Sequence, residues 1–179
     1  MTHAHAHSQA LRGLLASAPV VPVVTIDDPH RAVPLARALA RGGLAAMEIT
    51  LRTAHGLDAI AAVAREVPEI AVGAGTVVTP SLIGEAIDAG ARFLVSPGVT
   101  ARLAEAASRA AVPFLPGCGT VSEAMALAEA GFEILKFFPA EQAGGAKFLD
   151  SLRPVLPHLA FCPTGGVGPG NAGAYLKLP

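Results

Sequence analysis

Ala45-Ala46-Met47-Glu48-Ile49-Thr50 is the stretch on which the fold turns. In an extended segment successive side chains point to opposite faces, so Ala46, Glu48 and Thr50 share one face and Met47 and Ile49 the other. The small and polar set suits the interior of a barrel, and the apolar set suits a surrounding helix layer. A strand covered on both faces belongs to a parallel sheet.

The same kind of segment recurs outward from 45–50 in both directions. Apolar, β-branched runs are expected as strands over 20–26, 70–77, 93–96, 114–117, 134–138 and 159–162. Between them, Ala/Leu/Glu/Arg stretches at helical spacing predict helices over 29–41, 57–66, 81–89, 101–111, 122–130, 147–155 and 171–176. Asp28 is placed to cap the first of these, with Pro29 inside its start and Gly42-Gly43 past its end. Regular alternation of this kind gives a parallel sheet covered by helices, either an open doubly wound sheet or a closed (β/α)8 barrel. Gly73-Ala74-Gly75 runs on into Thr76-Val77-Val78, which breaks the dinucleotide-binding glycine pattern of the first alternative. Polar residues gather at or just beyond strand ends: Glu48, Thr50, Arg52, Thr76, Ser96, Thr120, Lys136 and Thr164. In barrels that face carries the chemistry. The expectation is therefore a (β/α)8 TIM barrel over residues 10–179, C-terminally incomplete, with the eighth βα unit absent from this chain.

Composition narrows the partners. The chain has 179 residues, 52% hydrophobic and 15% charged, with a net charge of −1. That is long enough for one domain with a real core. It offers no basic patch for nucleic acid or anionic membrane and no apolar run of spanning length. Cys118 and Cys162 stand apart without zinc or redox spacing, which fits free thiols in a reducing cytoplasm. His30, His55 and His158 are scattered, so no metal site is expected. Residues 1–9, with alternating His3, His5 and His7, read as a disordered or tag-like tail.

Lys136 lies within the apolar run Ile134-Leu135-Lys136-Phe137-Phe138. Burying an ammonium is costly unless it is paired or gives up its proton. Two readings stand: a static ion pair that fixes packing, or an amine nucleophile of the kind that forms Schiff bases with ketones. Strand parity points Lys136 and Glu48 into the same interior, where each would stabilise the other and the carboxylate could shuttle protons. Arg52 is either a surface ion pair or a planar fork for a carboxylate, with Thr76 adding a hydroxyl. Thr164-Gly165-Gly166 is either an ordinary turn or a loop whose bare amides approach an anion.

These residues resemble a known family. Val20-Val-Pro-Val-Val24, Glu48-Ile-Thr-Leu-Arg-Thr53, Val72-Gly-Ala-Gly-Thr-Val77, Ser96-Pro-Gly98, Pro116-Gly117, Lys136-Phe-Phe-Pro-Ala-Glu141 and Phe161-Cys-Pro-Thr-Gly-Gly166 are similar, in order, to the bacterial KDPG/KHG aldolases. The resemblance implies a cytoplasmic, homotrimeric class I aldolase that works without a cofactor. Its substrate would be a 2-oxo acid sugar phosphate, cleaved to pyruvate and glyceraldehyde 3-phosphate, or 4-hydroxy-2-oxoglutarate. By position, Lys136 would be the Schiff-base lysine and Glu48 the general acid/base. Arg52, Thr76 and Pro97 would line the pyruvate pocket with Phe138 beside it, and Thr164, Gly165 and Gly166 would face the phosphate. The family continues past Tyr175 with a strand ending in Gly-Gly-Ser, and that segment is not in this sequence. Alternatives are the galactonate-derived substrate, a metal-dependent pyruvate aldolase on a similar barrel, and an inactive barrel that binds sugar phosphates.

Overall fold

Strands and helices alternate through the computed structural model, which describes residues 3–178 (side chains from residue 5). In chain order they are α1 (His3–Ser17), β1 (Val23–Val24), a 3-10 turn at Pro29–Arg31, α2 (Ala32–Arg41), β2 (Ala46–Thr50) and α3 (Gly56–Glu66). Next come β3 (Ala71–Gly75), α4 (Pro80–Asp88), β4 (Leu94–Val95), α5 (Ala101–Ser108), β5 (Phe114–Leu115) and β6 (Gly117–Cys118). The rest are α6 (Val121–Glu129), β7 (Ile134–Phe137), α7 (Gly145–Leu152), β8 (Ala160–Pro163) and α8 (Ala172–Tyr175). Every ladder is parallel and joins strands adjacent in sequence: β1 through β5 in one sheet, β6 through β8 in the other.

The two sheets are one surface interrupted at Pro116. Proline has no N–H to give, so the ladder to β4 ends at Leu115, which accepts from Ser96 N–H at 3.2 Å. On the other side Pro116 O accepts from Lys136 N–H at 2.8 Å, and pairing with β7 resumes. The strand expected over 114–117 is thus present, in two pieces. Among the described residues no ladder joins β8 back to β1. All four residues of β8 are only half-buried, whereas β2, β3 and β7 are buried throughout.

The parity of 45–50 becomes an inside and an outside. Met47 and Ile49 pack in the main apolar cluster with the helix residues Ala36, Ile60 and Val63. Ala46 packs in a second cluster with Ala71, Val95, Leu115 and Ile134 from four other strands and with Phe93 just before β4. That cluster is the inner layer of a TIM-barrel-like arrangement. The helix starts on the opposite, C-terminal face are fixed by side-chain oxygens. Asp28, Thr79, Thr100 and Thr120 each accept from a backbone N–H in the first turn that follows.

The expected tail at residues 1–9 needs correction from His3 onward; Met1 and Thr2 lie outside the described residues. His3–Ser17 is a helix, and Leu11 and Ala18 are buried in the inner cluster with Leu14 and Leu15 against it. These four positions have helical spacing, so one apolar stripe plugs the N-terminal end of the barrel. His5 Nδ1 lies 2.9 Å from Glu133 Oε1 and Arg12 lies 3.4 Å from Oε2. Glu133 N–H donates to Ser8 Oγ at 3.0 Å. Glu133 immediately precedes β7, so the helix grips the strand that carries Lys136. Among the described residues no helix is long and apolar enough to cross a membrane.

Candidate active site

Lys136 sits on β7 with 3% of its surface exposed, facing Glu48 on β2 at 4%. Nζ lies 3.3 Å from Oε1 and 3.4 Å from Oε2 of that carboxylate. It also stands 5.5 Å from the centre of the Phe138 ring, within cation–π range. A buried ion pair is a poor way to gain stability, because apolar replacements are often neutral or better by about 1–4 kcal/mol. The pair is therefore the costly feature of an otherwise apolar interior, and costs of this kind concentrate where chemistry is done.

Room for the pair comes from glycines. Gly75 lies opposite Thr50 and Gly73 opposite Glu48 in the β2–β3 register. A Cβ at residue 75 would overlap the Glu48 carboxylate and come within 2.6 Å of its Cγ. A Cβ at residue 73 would overlap the Phe93 ring. On the far side Gly117 pairs with Lys136, and a Cβ there would overlap the backbone of Pro97. Ser96 Oγ accepts from Gly117 N–H at 3.2 Å, tying the Ser96-Pro97 turn to the lysine's neighbour strand.

Beyond Gly75 the chain turns sharply. Thr76 has φ +62°, a region that β-branched residues rarely adopt. Such strain costs about 1–3 kcal/mol and persists where the surroundings impose it. The turned Thr76 hydroxyl accepts from Arg52 Nε at 3.2 Å. Arg52 is exposed and has no carboxylate partner among the described residues, so the surface ion-pair reading is not what the structure shows. Its outer guanidinium nitrogens remain available to an anion beside the Lys136–Glu48 pair.

Thr164, Gly165 and Gly166 follow β8 at the same end. Thr164 N–H donates to Phe137 O at 2.9 Å, and Gly165 and Gly166 hold φ of +99° and +76°. A Cβ at residue 165 would lie 3.3 Å from the Phe138 ring. The expected site residues thus form one line of contacts, from Arg52 through Thr76, Gly75, Glu48, Lys136 and Phe138 to Gly165, with Pro97 behind Gly117. Lone glycines carried no signal for Gly75 or Gly117; only their pairing with Thr50 and Lys136 gives them meaning.

Cys162 lies opposite Lys136 in register. Burial pushes its thiol above the ordinary range; Lys136 opposes that shift and Glu48 adds to it. Burial, with Glu123 adding, pushes Cys118 up to about 12. A raised thiol pKa disfavours the thiolate, the nucleophilic form of cysteine.

The protein-family model for KDPG and KHG aldolase matches residues 11–179. The KHG/KDPG aldolase of Escherichia coli is 47% identical over 165 residues, 92% of this chain and 78% of the relative. The 2-dehydro-3-deoxy-phosphogluconate aldolase of Pseudomonas aeruginosa is 46% identical over 166 residues, 93% of this chain and 76% of the relative. The crystal structure of KDPG aldolase from Legionella pneumophila, with pyruvate captured as a covalent carbinolamine, superposes with a TM-score of 0.90 at 42% identity. It covers 93% of this chain and 81% of that one. A buried lysine and glutamate at the C-terminal face of a parallel strand–helix barrel, matched along nearly the whole chain, place this protein in the KDPG and KHG aldolase family.

Proposed function

We propose that the protein is a class I aldolase that cleaves 2-dehydro-3-deoxy-6-phosphogluconate to pyruvate and D-glyceraldehyde 3-phosphate through a Schiff base on Lys136. It also accepts 4-hydroxy-2-oxoglutarate, giving pyruvate and glyoxylate. The observation that carries the reading is the buried contact between Lys136 Nζ and both Glu48 oxygens. An amine nucleophile needs a nearby base to take its proton and an acid to return protons to departing oxygens.

The steps follow from the contacts. Glu48 accepts a proton from Lys136, whose Nζ adds to the C2 carbonyl of the 2-oxo acid. The carbinolamine oxygen takes the proton back and leaves as water, forming the iminium. Glu48, through a water molecule, then removes the proton of the C4 hydroxyl, and the C3–C4 bonding electrons flow into the iminium. The aldehyde departs, and the enamine left on Lys136 is protonated at C3 and hydrolysed to pyruvate. Arg52, steadied by Thr76, holds the substrate carboxylate and so lowers the entropic part of the barrier. Phe138 and Pro97 wall the reacting carbons from water. The Thr164-Gly165-Gly166 loop receives the phosphate on the unpaired N–H groups of Gly165 and Gly166. The iminium withdraws electrons as a divalent metal would, so the reaction needs no cofactor.

In this reading the enzyme is a cytoplasmic homotrimer. Exposed Met125 on α6 supports an interface on that helix.

Pyruvate release from 2-dehydro-3-deoxy-6-phosphogluconate, measured with a lactate dehydrogenase couple, tests the assignment. Lys136→Ala is expected to lose more than about 10⁴-fold in kcat and Glu48→Gln about 10²–10⁴-fold. Wild-type rates for both variants would reject it.

A further inference from the structure

Three successive carbonyls in the loop after β8 are tied back into the protein. Ala140 N–H donates to Thr164 O at 2.7 Å and Glu141 N–H to Gly165 O at 3.1 Å. Asn171 Nδ2 donates to Gly166 O at 2.9 Å, and its Oδ1 accepts from Gly168 N–H at 2.7 Å. The N–H groups between them, on Gly165, Gly166 and Val167, have no protein partner among the described residues.

The ties close into a bracket. Asn171 stands at the start of α8, and one turn on Tyr175, 6% exposed, donates its hydroxyl to the Glu141 carboxylate. The aliphatic part of Glu141 covers Gly166 so closely that a Cβ there would lie 2.7 Å from its Cγ. Two adjacent glycines would otherwise be the loosest part of the site, since glycine loses the most freedom when fixed. With the carbonyls held, that ordering is complete before an anion arrives, which is how preorganisation raises affinity.

We propose that Asn171 and Tyr175 are positioning residues for the distal subsite, holding this loop so that the enzyme prefers phosphate-bearing aldols over non-phosphorylated ones. The inference rests on the reading of the Thr164-Gly165-Gly166 loop as the phosphate seat. Neither side chain touches substrate. Each acts through the backbone, Asn171 directly on the loop and Tyr175 through Glu141.

The test is steady-state cleavage of 2-dehydro-3-deoxy-6-phosphogluconate and of 4-hydroxy-2-oxoglutarate by Asn171→Ala, Tyr175→Phe and Gly166→Ala. Borohydride trapping with pyruvate in each variant reports that the Lys136 site is folded. Asn171→Ala is expected to raise KM for the phosphorylated aldol about tenfold, the worth of one hydrogen bond to a charged group. Its kcat, and both constants for 4-hydroxy-2-oxoglutarate, stay at wild-type values. Tyr175→Phe shifts the same KM in the same direction by less, and inorganic phosphate inhibits both variants more weakly than the wild type. Equal losses on the two substrates would mean a merely structural role and overturn the proposal. If Gly166→Ala raises the KM for the phosphorylated aldol but Asn171→Ala and Tyr175→Phe do not, the bracket is wrong while the phosphate seat stands. If Gly166→Ala also leaves that KM unchanged, the seat falls and the bracket with it.

Discussion

Glu48 reaches Lys136 only because residue 75 has no side chain. The overlap a Cβ would make there is with the carboxylate itself, beside a fully buried neighbour strand, so the carboxylate must swing away from Nζ. Gly75→Ala is therefore expected to lower kcat/KM by about 100-fold or more, the cost of misplacing a catalytic group by roughly an ångström. Overpacking would also destabilise the fold by about 1–3 kcal/mol. Pyruvate-release kinetics alongside urea melts would separate the two effects; unchanged kinetics would show that Glu48 does not need the space. Lys136, Glu48 and Arg52 were legible because they are expensive or conspicuous residue types at strand ends. Gly75 and Asn171 were not, because their roles exist only once strand pairing or loop folding sets a partner beside them. The strain at Thr76 was equally invisible, since nothing in a threonine announces a positive φ.

At the scale of single elements, α1 and α6 carry the clearest consequences. Leu11 is 1% exposed at the centre of the plug formed by α1, so Leu11→Ala is expected to cost about 2–5 kcal/mol in urea unfolding. A cost below about 0.5 kcal/mol would mean the helix is not docked in solution. At the start of α6 the Glu123 carboxylate accepts from Gly119 N–H at 2.8 Å and Thr120 N–H at 3.0 Å. The bond from Gly119 is the first cause that draws its pKa below the ordinary 4.5, against a partial opposing effect of burial. A carboxyl with a depressed folded pKa stabilises while ionised. Its contribution is complete above pH 4.5 and is lost as pH falls through the folded value. Wild type should therefore be more stable than Glu123→Gln at pH 7, and the gap should close as pH drops below that value; a gap independent of pH would remove the carboxylate from the cap. The strands and most helices were legible from periodicity, and the Thr caps from position. α1 was not, because alternating Ala and His over its first turns hides the stripe that begins at Leu11. The break at Pro116 was legible in principle, since proline cannot serve both neighbouring strands.

Over the whole molecule, the barrel is built from the inside out. An inner apolar layer closed by α1 lies below the Lys136–Glu48 pair, and Arg52 and the Thr164-Gly165-Gly166 loop stand at the open face above it. Between α7 and α8, half-buried β8 borders a groove of about 510 Å³ lined by Leu149, Pro157, Phe161 and Tyr175. The bracket of Asn171, Tyr175 and Glu141 borders that side, whereas the lysine strand lies one ladder inward, paired on both edges. The chemistry proposed at Lys136 therefore depends on the well-enclosed part of the molecule and should be its most robust property. The direct measurement is incubation of the protein with pyruvate and sodium borohydride, followed by intact mass and peptide mapping. One reduced three-carbon acid on Lys136, absent in Lys136→Ala, is the predicted result. An unmodified chain, or an adduct on Lys147 or Lys177 with Lys136 untouched, would contradict it.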